Sequence, residues 1–375
     1  MSITGFASNL HSSNATCNNI SQPNASEELS LKILIIGLGG IGQRHTRNLR
    51  ALLGDSVEII AYRVRRLTHV VTPTMGLDQE RNVEDVYNIR TFHSLEAALA
   101  EKPDIAYVCN PSSLHVAVTR ACILAGCDIF LEKPLSDSLD GTAELADLAR
   151  TYKRIAMVGY QLRFHPCVIR LTEIVRSGVL GNLLGVRATI GEYLPNWHPY
   201  EDYRVMYASR AELGGGVVLS QIHEFDYLYS LFGLPRRIYA LGGHWSDLEI
   251  DVEDTASILM EAPLGARILP IQLHQDFLQS PASRQCEVIG DKGRAVMDLH
   301  AQTVSLFTLG QAKPEVFRLD NFDRNNLFLD QARHFLHCVE TREKPIVDLA
   351  DGIQSLRMAL AVKQSIASHL PIDLD

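Results

Sequence analysis

Several function classes need features that this chain lacks. It has no basic excess: 35 Lys and Arg stand against 44 Asp and Glu, a formal net charge of −9. Such a balance offers no electrostatic footprint for phosphates, so no nucleic-acid partner is expected. No apolar run approaches the roughly 20 residues of a membrane-spanning helix. The N-terminus has neither the basic start nor the apolar stretch of a secretory signal, so a membrane partner is not expected. The seven cysteines are scattered and include no C-x-x-C pair. That argues against a zinc site and a disulfide framework, predicts no bound metal, and fits a cytoplasmic protein. Internal repeats are also absent.

What remains is an ordinary globular composition, 46% hydrophobic and 21% charged over 375 residues. That length is too great for one ordinary core and fits two domains. Residues 1–30 are rich in Ser and Asn without hydrophobic periodicity. They read as a disordered extension, or as a misassigned start.

From Leu31 the pattern changes. An apolar run to Ile36 leads into Gly37, Gly39 and Gly42, a G-x-G-x-x-G, and then into an amphipathic segment from Ile41 to about Leu53. Strand, glycine turn and helix in register form a dinucleotide-binding arrangement. Gly37 turns the chain, Gly39 admits a pyrophosphate, and Gly42 lets helix and strand pack closely. Gly40 and Ile41 open the helix, whose N–H groups face the anion. Strands and helices then alternate to about Gly159, with helices expected over 95–101, 114–126 and 138–152. Ser94 and either Ser112 or Ser113 are the expected caps. Residues 67–88 resist assignment. The alternation predicts a doubly wound parallel sheet, hence an α/β first domain.

Beyond a helix over about 165–177, the chain reads as successive strands, from Leu183–Tyr193 to Thr303–Phe307, broken by one helical stretch over 219–232. Runs of strands without intervening helices predict an antiparallel sheet and an α+β second domain. Two helices, about 326–341 and 349–369, close the chain, the second capped by Asp348 or Asp351.

Five segments carry candidate chemistry. Arg63 and Arg65, with Arg66, stand about 20 residues past the glycine turn, where an NAD binder often places an acid. Guanidinium groups there suit a 2′-phosphate, which predicts NADP, with NAD as the alternative. Asn110-Pro111-Ser112-Ser113-Leu114-His115 ends one strand and starts a helix, so Asn110, Pro111 and His115 are candidate cofactor contacts as well as ordinary capping residues. Glu132-Lys133-Pro134 ends another strand; Lys133 there can hold a developing alkoxide, and Pro134 keeps its backbone extended. Gly214-Gly215-Gly216 leads into a helix on which His223 and Asp226 share a face, and a histidine can relay the substrate proton. Trp197 to Arg204 gathers aromatic and charged groups, among them Tyr203, in a loop suited to sugars or to packing.

Taken in order, GLGGIGQRH at 37–45, NPSSLH at 110–115, EKP at 132–134, GYQLRFHP at 159–166, GGG…HEFD at 214–226 and IGDKG at 289–293 make the chain similar to the Gfo/Idh/MocA family of NAD(P)-dependent oxidoreductases. The resemblance covers about residues 31 to 370. It implies a Rossmann domain over 31–160 and a substrate and oligomerisation domain over 161–348 with a large, mostly antiparallel open sheet. It also implies a last helix, 349–375, that returns to the first domain, and a homodimer or homotetramer built on the sheet's free face. Lys133 matches the family's lysine and His223 its catalytic histidine, with Glu132, Lys133 and Gln161 near the cofactor. Arg163, Trp197, Tyr203 and His223 are then the expected substrate contacts, and Asp226 or Glu224 would supply a carboxylate. Family members often show an aspartate four residues before the histidine; here the position nearest to it is Ser220, only three residues before His223. The expected reaction is hydride transfer to or from a sugar or nucleotide sugar; an inositol or other cyclic polyol is the alternative substrate. A non-catalytic dinucleotide-binding regulatory protein is the rival from another class, and Ser220 is the feature that favours it.

Overall fold

The computed structural model describes residues 31–64, 69–74 and 76–374. The expectations for residues 1–30, Arg65 and Arg66 therefore lie outside the described residues. Lys32–Ile36 (β1) carries the apolar run expected of a strand covered on both faces, and four of its five residues are buried. It is followed by Gly40–Leu53 (α1), Glu58–Tyr62 (β2), Arg90–Phe92 (β3), Ile105–Val108 (β4), His115–Leu124 (α2), Asp128–Leu131 (β5), Thr142–Thr151 (α3) and Ala156–Val158 (β6). The sheet order is β3-β2-β1-β4-β5-β6, and every pair is parallel. This is the doubly wound order, whose strand direction of growth reverses beside β1 and opens a crevice at the strands' C-terminal ends.

The unassigned stretch 67–88 holds a two-residue hairpin, Val70–Val71 with Leu77–Asp78, and a short helix, Val83–Tyr87, capped by Asn82. Elements of two to five residues are too short to leave a periodic signal. The Ser94 cap is present: its side chain accepts from Ala97 N at 3.2 Å. The cap expected from Ser112 or Ser113 is not. A short 3-10 turn, Ser112–Leu114, precedes α2 instead, and Ser112 Oγ donates to Leu213 O at 3.2 Å, so the hydroxyl is spent on the second domain.

The second domain contains Pro166–Ser177 (α4), Leu183–Gly191 (β7), Val217–Ser220 (α5), His223–Phe232 (α6) and Arg237–Gly243 (β8). Five strands follow: Thr255–Leu264 (β9), Arg267–Asp276 (β10), Ser283–Gly290 (β11), Gly293–Asp298 (β12) and Thr303–Thr308 (β13), with Glu315–Arg318 (β14) beyond them. With the C-terminal Ile372–Asp373 (β15) they form a nine-stranded sheet in the order β14-β13-β12-β11-β7-β10-β9-β8-β15. Only the β7–β10 pair is parallel. Burial alternates along β9 and β10, as expected of a sheet with one covered face. The single helix expected over 219–232 is two helices, α5 and α6, with a break at Gln221 and Ile222.

Two helices close the chain. Asn325–Thr341 (α7) packs on α1, so the chain returns to the first domain before residue 349. Leu349–Ser368 (α8) opens with Asp348 and Asp351 in a reciprocal capping box, at 3.0 and 3.2 Å. Its start is tied to β6 by Val158 N donating to Val347 O, and its body lies across α6 and β8. Among the described residues no helix is long and apolar enough to cross a membrane, no cluster has metal-holding composition, and the cysteines are buried and unpaired.

His165 caps α4: Cys167 N donates to its Nδ1 at 3.1 Å, and Pro166 occupies the first helical position. The ring is 5% exposed. Burial, then the Arg284 and Arg324 guanidiniums, pushes its pKa down to about 4. The unfolded chain therefore binds the extra proton first. Stability from this group is complete above pH 6.5 and falls as the pH drops toward 4, by on the order of 3 kcal/mol at 1.4 kcal/mol per pH unit. Urea unfolding at pH 7.5 and 4.5 checks this: His165→Asn, which keeps a capping oxygen, should lose markedly less stability on acidification than the native chain. Equal losses would refute the assignment.

Candidate active site

The crevice is lined where the sequence places it, at the ends of β1, β2, β4, β5 and β6. Gly42 packs α1 against the turn so closely that a Cβ there would meet Gly37 O at 1.9 Å. Gly39 is the N-cap of α1, has no side-chain cap, and faces open space. An uncapped 14-residue helix opening on empty space beside a glycine turn fits a pyrophosphate. The residues present therefore fit a dinucleotide, which would rest on Gly39, Gly40 and Ile41. A Cβ on Gly40 would lie 2.4 Å from Tyr200 Oη. The loop of Trp197 to Arg204 thus reaches the glycine turn through Tyr200.

At the end of β5, Glu132 and Lys133 part company. The Glu132 carboxylate lies 2.7 Å from His45 Nε2 and accepts Lys133 N at 3.2 Å. Both side chains of the His45–Glu132 pair are buried, at 1% and 9% exposed. His45 stands three residues past Gly42, so this pair fastens the glycine helix to the strand that carries Lys133. His115 does similar work. Its Nδ1 is 2.9 Å from Pro134 O and its Nε2 is 2.8 Å from Asn110 O, leaving neither nitrogen for a cofactor. Asn110 Oδ1 is buried without a partner, an acceptor left for a ligand. Gln161 is 6% exposed at the end of β6.

Lys133 Nζ donates to Ser220 O at 3.0 Å. That carbonyl is available because the helix ladder breaks there. Gln221 O, next along, accepts Gln275 Nε2 at 2.9 Å, and Gln221 Nε2 donates to Asp276 O at 2.9 Å. His223 begins the next helix, 5% exposed, its ring edge-on to Tyr160 at 5.8 Å. His223 Nδ1, Ser220 Oγ and Tyr160 Oη are buried without hydrogen-bond partners. Burial, then the nearby Lys133, Arg284 and Arg324 cations, holds the His223 pKa well below the usual imidazole range. The ring is therefore neutral at neutral pH and able to accept a proton. The three glycines before α5 serve internal packing: a Cβ on Gly215 would meet Tyr207 O at 2.4 Å, and one on Gly214 would meet Ser112 Oγ at 2.2 Å.

Other expected residues are used by the protein itself. Arg163 grips Asp226 with both ends of its fork, Nε to Oδ2 at 2.6 Å and Nη2 to Oδ1 at 2.9 Å, and Asp226 is 0% exposed. A fully committed carboxylate is not placed to relay a proton, and its arginine is not placed to meet a substrate anion. Glu224 is likewise taken, by Arg284 at 2.7 and 2.9 Å. Arg63, at the end of β2, is paired with Glu84. Trp197 packs edge-on to Phe277 at 5.2 Å, its Nε1 buried without a partner. Tyr203 Oη accepts Glu249 N at 3.3 Å, bracing one loop with another.

Comparison with known proteins agrees with this layout. Residues 31–160 match the oxidoreductase family with an NAD-binding Rossmann fold, Gfo/Idh/MocA, and residues 168–296 match the Gfo/Idh/MocA C-terminal domain. The chain is 26% identical to the myo-inositol 2-dehydrogenase of Thermotoga maritima, over 92% of this chain and 99% of that one. It is 25% identical to the D-xylose 1-dehydrogenase (NADP(+)) 2 of Haloferax volcanii, over 86% of this chain and 97% of that one. The fold superposes with a TM-score of 0.75 on the WlbA dehydrogenase of Bordetella pertussis in complex with NADH and UDP-GlcNAcA, at 19% identity, covering 92% of this chain and 99% of that one. With an NAD-binding Rossmann sheet, the large second sheet and both family domains matched in order, the chain belongs to the Gfo/Idh/MocA family of oxidoreductases.

Proposed function

We propose that this oxidoreductase transfers a hydride between a nicotinamide cofactor and a carbinol or keto carbon of a sugar or nucleotide sugar, with Lys133 and His223 handling the substrate oxygen and its proton. One observation carries the reading: Lys133 and His223 meet at the break between α5 and α6, among buried polar atoms that have no partner. When bound, the dinucleotide supplies or accepts the hydride. Lys133 keeps two N–H donors beyond the one given to Ser220 O and can hold the oxygen as charge develops on it. His223, neutral and desolvated, takes the hydroxyl proton during oxidation and returns it during reduction. The relatives named for inositol and xylose support a polyhydroxylated substrate, so an assay panel should hold sugars, sugar nucleotides and inositols.

Single-turnover and steady-state assays over that panel test the reading. Lys133→Met and His223→Asn should each lower kcat by roughly 100- to 10,000-fold, while His223→Asn still binds NADH in a fluorescence titration. Turnover that survives both substitutions would refute the mechanism.

Ser220 gives a second test. Among the described residues no carboxylate is seen to raise the basicity of His223, whose depressed pKa places the acidic limb of kcat/KM below the ordinary imidazole range. Ser220→Asp introduces that carboxylate and should move the limb upward by about one pH unit. An unchanged pH profile would show that His223 is not the titrating base.

Cofactor choice is assigned to Arg63, with NADP the preferred partner. The Glu84 carboxylate, which also accepts Thr91 Oγ1 at 2.9 Å, competes with a 2′-phosphate for that guanidinium. Glu84→Gln removes the competitor and should raise the NADPH over NADH affinity ratio by about tenfold, the effect of one charge-assisted pair. A native preference for NADH that Glu84→Gln leaves unaltered would remove Arg63 from cofactor selection.

A further inference from the structure

Gly40, the first residue of α1, is a glycine for a reason that the turn before it does not supply. Its φ lies outside the left-handed region, so the backbone there accepts any side chain. Among the described residues, the only atoms within 4 Å of a Cβ at this position are the hydroxyl of Tyr200 and the ring carbon that bears it. Gly42, by contrast, is pressed against Gly37 O, and Gly39 faces open space. The missing side chain at position 40 is therefore a seat for the tip of Tyr200, a residue of the second domain.

The local sequence places that tip. His198-Pro199-Tyr200-Glu201 is a β-turn, closed by Glu201 N donating to His198 O at 2.9 Å, with Pro199 in the second position that its fixed φ favours. The His198 ring stacks on the Tyr200 ring, with centroids 5.3 Å apart and planes 15° apart. Behind the turn, Trp197 packs edge-on to Phe277, and Leu194 N donates to Phe277 O at 3.0 Å. The turn is thus rooted in the second domain and carries its tyrosine to the start of α1 in the first.

Tyr200 is half-buried there. Burial, then the Glu201 carboxylate, pushes its phenol pKa up to about 12 against the pull of the Arg44 cation. The hydroxyl therefore keeps its proton at neutral pH and can donate. Among the described residues no hydrogen bond engages it. The N–H groups in the first turn of α1, beside it, have no side-chain cap. A protonated hydroxyl and several unspent N–H donors converge on one place, and an acceptor-only anion satisfies both. At a glycine turn of this kind that anion is a pyrophosphate.

We propose that Tyr200 is a cofactor-binding residue whose hydroxyl donates to an oxygen of the pyrophosphate seated on α1, so that the second domain closes the cofactor cleft at Gly40. The dinucleotide is then held from both domains, and position 40 is kept clear for the closing residue. The Trp197 to Arg204 loop, which reads from sequence as suited to sugars or to packing, acquires a third use. The assignment rests on the dinucleotide seat and is independent of which substrate is oxidised.

Binding titrations test it without any substrate. Tyr200→Phe keeps the ring and its stack on His198 and removes the hydroxyl alone. It should raise the dissociation constants of NADH, NADPH and ADP-ribose alike by about 10- to 30-fold, the loss of one hydrogen bond to a charged group. The stopped-flow release rate of NADH should rise by a similar factor. A change below about twofold, a tighter complex, or a loss for NADH that ADP-ribose does not share would overturn the proposal, the last by moving Tyr200 to the nicotinamide end. A double-mutant cycle reads the seat itself. Gly40→Ala should weaken NADH at least as much as Tyr200→Phe does, yet by less than about threefold in a Tyr200→Ala background, where the space is vacant. An equal effect in both backgrounds would show that Gly40 does not make room for Tyr200, and would also overturn it. A native chain that binds none of the three ligands removes the dinucleotide seat and the proposal with it. One that binds them as expected and turns over no sugar fails the sugar reading alone.

Discussion

The hydrogen bond from Lys133 to the carbonyl of Ser220 ties the end of β5 to the break between α5 and α6. It exists only because the helix that carries His223 is broken just ahead of it. In an unbroken helix the Ser220 carbonyl would be spent on its own ladder. Here the ladder stops, Lys133 takes one freed acceptor and Gln275 takes the next. The break therefore supplies the lysine with a neutral anchor that fixes its position without consuming its charge. The same break leaves Ser220 Oγ and His223 Nδ1 without partners in a buried place, which is where polar groups are tolerated when a ligand completes them.

A second constraint is the commitment of most buried charge to internal pairs. Glu132 with His45, Arg163 with Asp226, and Glu224 with Arg284 each join elements distant in sequence. The two arginine–carboxylate pairs are bidentate, the geometry under which buried ionic groups are sustained. Lys133 and the neutral His223 stand outside these pairs. The identity of these residues, more than the fold, limits what the site can bind.

Much of the fold was legible in the sequence, because it rests on local signals. The glycine turn, the buried parallel strands and the alternation in the second sheet all have short periods or fixed spacings. The Asp348–Asp351 capping box is local in the same way. The hairpin and short helix within 67–88 were not legible, being too brief to establish a period. The break at Gln221 was not legible either, since Val217 to Phe232 carries no proline and its apolar pattern runs straight through. Among the site residues, Lys133 and His223 could be proposed because each follows a recognisable local feature. The Arg163–Asp226 pair spans 63 residues and the His45–Glu132 pair 87. Spacing gives no hint of which charges will neutralise each other across such distances, so residues that read as reactive prove to be bound by the protein itself.

The edges of the large sheet have a consequence of their own. One edge is the two-residue strand Ile372–Asp373, laid down by the last part of the chain against Arg237 and Ile238, and the other is the four-residue strand Glu315–Arg318. Both outermost strands are short, which blunts edge-to-edge pairing, and β8 continues past its two residues paired to Ile372–Asp373 as far as Gly243. A sheet of nine strands would otherwise be an open invitation to edge-on growth into aggregates. The strand Ile372–Asp373 thus covers the start of β8, and further along the same strand Ala240 N donates to Ser365 Oγ of α8 at 2.9 Å, so helix and strand share the protection of that edge.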